Sequence, residues 1–161
     1  MNQIPGTDLK VFPITLGTMT YGSPVAFDDA VKLTQYAVSR GVNLIDTANM
    51  YEGYNRYAGS AGGVAEEIVG KAVRGLPHGS VAVATKVGMK VGPAPEDEGT
   101  SPAAIRKQLD RSLARLGMDC IDLYYLHRPD ESVPLADILG ALSDAQRAGK
   151  IRYYGAVSYT H

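Results

Sequence analysis

The chain has 161 residues, with 16 lysines and arginines against 17 aspartates and glutamates and a formal net charge of −1. That length suffices for one domain with a real core, and so balanced a charge gives no strong field for holding nucleic acid or an anionic membrane. A single cysteine excludes an internal disulfide framework and fits a reducing, cytoplasmic compartment. The opening residues MNQIPGTDLK have neither the basic region nor the apolar region of a secretory signal. No apolar run is long enough to cross a bilayer.

In chain order, Gly6-Thr7-Asp8 predicts a hairpin turn, and VFPITLGT (11–18) reads as a strand ending at Gly17-Thr18. Residues 28–40 carry apolar side chains at helical spacing, with Asp28 as the expected N-cap and Gly41 as the glycine just past the end. GVNLID (41–46) is the next strand. A Gly/Tyr/Asn-rich loop follows, then a helix over 64–74 with Ile68, Val69, Ala72 and Val73 inward and Gly75 ending it. VAVATK (81–86) lacks polar alternation and reads as a strand buried on both faces. Beyond a loop rich in Gly, Pro and acid, Ser101 and Pro102 open a helix whose stripe is Ile105, Leu109, Leu113 and Leu116, closed by Gly117. IDLYYLH (121–127), a helix over 134–149 and IRYYGAVS (151–158) complete the pattern. Apolar strands alternating with amphipathic helices predict βαβ units and a parallel sheet. Residues 1–161 read as one domain, and periodicity alone fits either a doubly wound sheet or a β/α barrel.

Three of these strands end in an ionisable residue: Asp46, Lys86 and His127, spaced by 40 and 41 residues. A lysine closing a buried strand is costly unless its charge is needed there. Parallel strands bring their carboxyl ends to one edge, the edge on which β/α barrels build active sites. Asp46 shares a face with Leu44, and His127 shares one with Tyr125 and Leu123. Tyr51 follows in the loop rising from that edge. A phenol is a weak acid, near ~10 in model peptides; a neighbouring ammonium favours its anion, and a carboxylate holds that ammonium in place. A histidine can hydrogen-bond a substrate oxygen or relay a proton. Such a group suits carbonyl reduction. Taken singly, Asp46 and Lys86 fit a structural ion pair and His127 an ordinary strand-end histidine. Together they point to a site.

The segments LGTMTYG (16–22), LIDTANMY (44–51), ATK (84–86), LYYLHRPD (123–130) and GAVS (155–158), in this order, resemble the aldo-keto reductase superfamily. The resemblance implies a (β/α)₈ barrel of the TIM type that reduces aldehydes and ketones with NADPH. It makes Tyr51 the proton donor, Lys86 the group that strengthens it as an acid, Asp46 the partner of Lys86, and His127 the group that orients the substrate carbonyl. Gly17, Thr18 and Met19 fall at the nicotinamide end of the cofactor, Asp46 at its ribose, and Ser158 at the carboxamide. The family usually has asparagine after that serine, and this chain has Tyr159. Potassium-channel beta subunits share these motifs, so a cofactor-binding regulatory subunit is the alternative to an enzyme acting on a small-molecule carbonyl. An inactive half-barrel module is a third reading.

Eight β/α units need roughly 250 residues, whereas five strands and four helices are legible here. The first and last strands are therefore expected to be open edges, and an oligomer or a complementing chain is one way of covering them. The isolated chain is expected to have weak NADPH-dependent activity or none. Other motifs carry less. GSAGG (59–63) lacks the Rossmann and Walker patterns and reads as a flexible loop. Cys120 stands about 23 Å along its strand from His127, too far for a dyad, and is expected in the core. His78, His127 and His161 give no metal-ligand spacing, and Glu66 and Glu67 point in different directions. Arg106, Lys107, Arg111 and Arg115 are expected on a solvated helix face. Arg128 fits either the substrate mouth or plain solvent exposure.

Overall fold

The computed structural model describes residues 1–57, 59–77 and 79–157. An N-terminal antiparallel hairpin, β1 (Asn2–Gln3) and β2 (Lys10–Val11), precedes a parallel sheet. That sheet runs in sequence order through β3 (Leu16–Gly17), β4 (Leu44–Asp46), β5 (Ala82–Val87), β6 (Ile121–Leu126) and β7 (Ile151–Ala156). The four crossovers carry α1 (Phe27–Ser39), α2 (Val64–Val73), α3 (Pro102–Leu116) and α4 (Leu135–Arg147). Monotonic strand order is the progression of a β/α barrel and departs from the reversal that defines a doubly wound sheet. Among the described residues, β3 and β7 each have one strand neighbour and leave the other edge open.

The anticipated strand over 11–18 is two short ones. Lys10 and Val11 pair with the hairpin, and only Leu16 and Gly17 join the sheet, opposite Ile45 and Asp46. Pro13 lies between them and has no N–H to give to a ladder. The turn at Gly6 (φ 76°) forms as expected, and it brings Leu9 and Val11 against Leu44, Ala82, Ala84 and Leu123. These side chains occupy the sheet face turned away from the helices. Ile45, Val83, Val87, Tyr124 and Leu126 occupy the opposite face, against α2, α3 and α4. Each fully buried Ile or Leu there contributes roughly 1.5–3 kcal/mol.

Helix boundaries follow local chemistry with one correction. Ser101 Oγ accepts the Ala104 N–H, Pro102 occupies the first turn, and Gly117 closes α3 in the left-handed region. Asp28 is not the N-cap of α1. The helix starts at Phe27 with Ala26 before it, so Asp28 and Asp29 lie in the first turn. There they complement the helix dipole, and Asp28 also pairs with Lys71 of α2 at 3.4 Å.

Gly70, inside α2, shows how closely α2 and α3 approach. A Cβ there would stand 2.6 Å from the Leu116 carbonyl oxygen and 2.7 Å from that of Arg115. An alanine in a helix interior ordinarily gains about 0.5–1 kcal/mol over glycine. Here the obstruction is backbone, which cannot rotate away, and overpacking of this kind costs typically 1–3 kcal/mol. Gly70→Ala is expected to lower the urea unfolding free energy by about that amount, against the sign helix propensity alone would give.

Candidate active site

The carboxyl ends of β4, β5 and β6 bring together the three expected strand-tip residues. Asp46 sits opposite Ala84, and Lys86 opposite Tyr125. The period-two pleat puts Lys86 on the same face as Ala82 and Ala84, away from the helices. Lys86 is 5% exposed, and its ammonium makes three contacts. Nζ donates to Asp46 Oδ2 at 2.7 Å, to the Thr47 carbonyl at 2.8 Å and to Tyr51 Oη at 3.4 Å. It also stands 4.9 Å from the centroid of the Tyr51 ring. The buried ammonium thus has a carboxylate, a carbonyl and a phenol, one for each of its protons.

His127 closes the group from β6. Its backbone N–H donates to the Val87 carbonyl at 2.8 Å, and its ring meets the Tyr51 ring edge-on, centroids 5.8 Å apart and planes at 80°. Burial, reinforced by the Lys86 ammonium and opposed by Asp46, holds the imidazole down at about 4. At neutral pH the ring is therefore uncharged, a hydrogen-bonding group and not a proton reservoir. Tyr125, half-buried on the same face, has its phenol pushed up by burial and by Asp46.

Thr18 and Met19 separate in their roles. Thr18 is fully buried, and both its backbone N–H and its hydroxyl donate to the Asp46 carbonyl at 3.0 Å, which fixes the tip of β4. Met19 stands exposed at the rim, and Gly17 has no heavy atom within 4 Å of where a Cβ would project. Ser158, with Tyr159, His78 and His161, lies outside the described residues.

Sequence reasoning missed the supports behind this group. The helix-facing neighbour of Lys86, Thr85, donates to Glu66 Oε1 at 2.7 Å. Glu66 is fully buried, its carboxyl raised by burial against the pull of Thr85 and Arg115. Arg115 holds Glu66 at 3.2 Å, so the expectation that it lies on a solvated face is wrong. Lys107 and Arg111 stay partly exposed but pair with buried Asp97 at 3.0 and 2.7 Å. Burial alone would raise Asp97, but Lys107, the Ala94 N–H and Arg111 bring it to about 2. The reason is the loop between β5 and α3, which folds back and buries an acid that these cations neutralise. Arg106 alone of the four is exposed, as expected.

Two smaller expectations also change. GSAGG is close-packed at its end: a Cβ on Gly62 (φ 61°) would lie 2.4 Å from the Asn49 carbonyl oxygen. Cys120 is half-buried just ahead of β6, and not in the core. It lines a cavity of about 880 Å³ with Arg74, Asp122 and Arg152 at the amino-terminal end of the sheet, away from the strand tips. Arg128 is partly exposed and pairs with Glu98 at 2.7 Å. No group of three or more His, Cys, Asp and Glu able to hold a metal occurs among the described residues, and no described helix is long and apolar enough to cross a membrane.

Comparison with known proteins gives the family. The model of the aldo/keto reductase family matches residues 13–161. The chain belongs to that family. It is 33% identical over 167 residues to a probable aldo-keto reductase from Glycine max, covering 92% of this chain and 45% of that protein. It is equally 33% identical to a probable voltage-gated potassium channel subunit beta from Arabidopsis thaliana, covering 94% of this chain and 44% of that one. Among solved structures, the holo form of an aldo-keto reductase from Bacillus halodurans superposes with a TM-score of 0.81 at 32% identity, covering 98% of this chain and 50% of that one. The chain thus spans about half the length of the relatives it matches.

The depressed His127 has a consequence for stability. An unfolded chain protonates this residue near ~6.5, whereas the fold resists protonation until about 4. The unfolded state therefore binds more protons between those values, and stability falls as pH drops from about 6.5 towards 4. His127→Gln is expected to lose less unfolding free energy than the parent across that window in urea titrations at stepped pH.

Proposed function

We propose that this chain carries the proton-transfer half of an NADPH-dependent reductase of aldehydes or ketones. The observation that supports it is the contact of one buried ammonium with both a carboxylate and a phenol, beside an uncharged imidazole. The nicotinamide, when bound, supplies hydride to the carbonyl carbon. Tyr51 gives its phenolic proton to the carbonyl oxygen as charge develops there. The Lys86 ammonium, 3.4 Å from Oη, stabilises the phenolate left behind, and Asp46 holds the ammonium at 2.7 Å. His127, neutral because burial and Lys86 hold it so, hydrogen-bonds the same substrate oxygen and leaves proton donation to Tyr51.

The residues present fit the nicotinamide end of such a cofactor. Gly17 offers bare backbone with open space beside it, and Asp46 keeps a third of its side chain exposed while engaged with Lys86. Gly17, Thr18 and Met19 would border the nicotinamide, Thr18 by fixing Asp46, and Ser158 would reach the carboxamide. Cytoplasmic location and an association that covers the open edges of β3 and β7 belong to the same reading.

The similarity to the Arabidopsis channel subunit supports a second reading, a cofactor-binding regulatory subunit. Turnover separates the two: a reductase consumes NADPH in proportion to added aldehyde, and a regulatory subunit binds it without sustained consumption. On the enzyme reading, Tyr51→Phe is expected to lower the reduction rate on the order of 10²–10⁴-fold. NADPH affinity, measured by fluorescence titration, should stay nearly unchanged, because the phenol acts only in the transition state. Parental turnover in Tyr51→Phe would show that another group donates the proton.

A further inference from the structure

We propose that Arg56 is a positioning residue that sets where the Tyr51 phenol stands relative to Lys86; its place in the reaction rests on Tyr51 being the proton donor. Tyr51 projects from a loop, not from a strand, so the sheet that fixes Lys86 does not by itself fix the phenol. Its backbone is held by two local hydrogen bonds, Tyr51 N–H to the Ala48 carbonyl and Ala65 N–H to the Tyr51 carbonyl, at 3.1 and 3.0 Å. Arg56 adds a tie to the loop that leaves the lysine's strand. Its Nη1 donates to the Met50 carbonyl at 2.8 Å and to Glu52 Oε1 at 3.3 Å, gripping the residues on either side of Tyr51. Its Nη2 donates to the carbonyl of Lys90, four residues beyond Lys86 in the loop that leaves β5.

The rest of the network keeps Arg56 in place. Glu52 Oε2 accepts from Ser60 Oγ at 2.5 Å. Ser60 is itself buried, and Gly62 lets this part of the chain close on Asn49 and Met50. Glu52 and Arg56 keep only 12% and 23% of their side chains exposed, so the pair is shielded from much of the screening that weakens a surface bridge. One planar guanidinium reaches three acceptors on two loops. A lysine ammonium is a point charge on a flexible stem and cannot reproduce that fork. The network is therefore a brace between the loop carrying the acid and the loop that leaves the strand of the cation stabilising its anion.

The test is site-resolved amide hydrogen exchange by NMR on the full chain, with Arg56→Ala, Arg56→Lys and the surface control Arg147→Ala. The NOE between the Lys86 ε-methylene and the Tyr51 ring is recorded in the same samples. Arg56→Ala is expected to speed exchange of the Tyr51 and Ala65 amides by about tenfold or more and to weaken that NOE, while the His127 amide, bonded to Val87, keeps its parental protection. Arg56→Lys is expected to restore little of the loss. Parental exchange at Tyr51 and Ala65, or acceleration spread equally to the His127 amide, would overturn the proposal. If Arg56→Ala does not fold, Arg56→Lys supplies the same comparison. The proton-donor reading fails separately: it falls if Tyr51→Phe retains turnover, whatever the exchange pattern shows.

Discussion

A lysine residue only 5% exposed near the end of a parallel strand is the constraint around which this protein is arranged. Removing such a charge from water costs several kcal/mol, and a single ion pair repays that only when the remaining protons also find partners. Asp46, the Thr47 carbonyl and Tyr51 supply those partners. Each lies on or just beyond β4, which pairs directly with β5, so the solution requires β4 and β5 to be parallel and in register. The same ammonium biases its surroundings. It adds to the burial that keeps His127 uncharged and stands where negative charge on the Tyr51 oxygen would be stabilised.

The elements behind the strand tips spend many polar contacts on keeping those tips still. Glu66 and Arg115 run from the helix layer to Thr85, the residue before Lys86. Lys107 and Arg111 anchor Asp97 and with it the loop leaving β5. Asp130 accepts from the Thr100 backbone N–H at 2.8 Å, joining that loop to the one leaving β6. Thr18, just beyond β3, fixes the Asp46 carbonyl at the tip of β4. These contacts constrain the backbone that carries the group, as the proposed proton transfer would need for donor and stabilising charge to keep their spacing.

The alternation of strands and helices and the strand-tip residues were legible in the sequence because their signals are local, whereas the strand order that separates a barrel from a doubly wound sheet was not legible from periodicity. A continuous apolar run ending in a charge needs no tertiary information to be recognised, and Ser101-Pro102 or Gly117 states a helix end by itself. What was not legible depends on partners distant in sequence. Nothing local distinguishes the paired Lys107, Arg111 and Arg115 from exposed Arg106, because only the fold brings Asp97 to the first two and Glu66 to the third. Gly62 in a glycine-rich run suggests flexibility, although its lack of a Cβ is what allows contact with Asn49. The split of the expected first strand had a local warning in Pro13, which the apolar pattern around it outweighed.

The chain covers about half the length of its relatives, yet the described residues bring the four-residue group together. Such a group permits two explanations: the Asp46–Lys86 pair stabilises the fold, or it is retained for chemistry at some cost to the fold. The double variant Asp46→Leu/Lys86→Met separates them, because it removes both charges and leaves neither buried alone. The measurement is its urea unfolding free energy beside that of the parent. A functional pair predicts a double variant at least as stable as the parent, as apolar replacement of buried ion pairs often gives. A loss of several kcal/mol would contradict the account and make the pair a structural bridge.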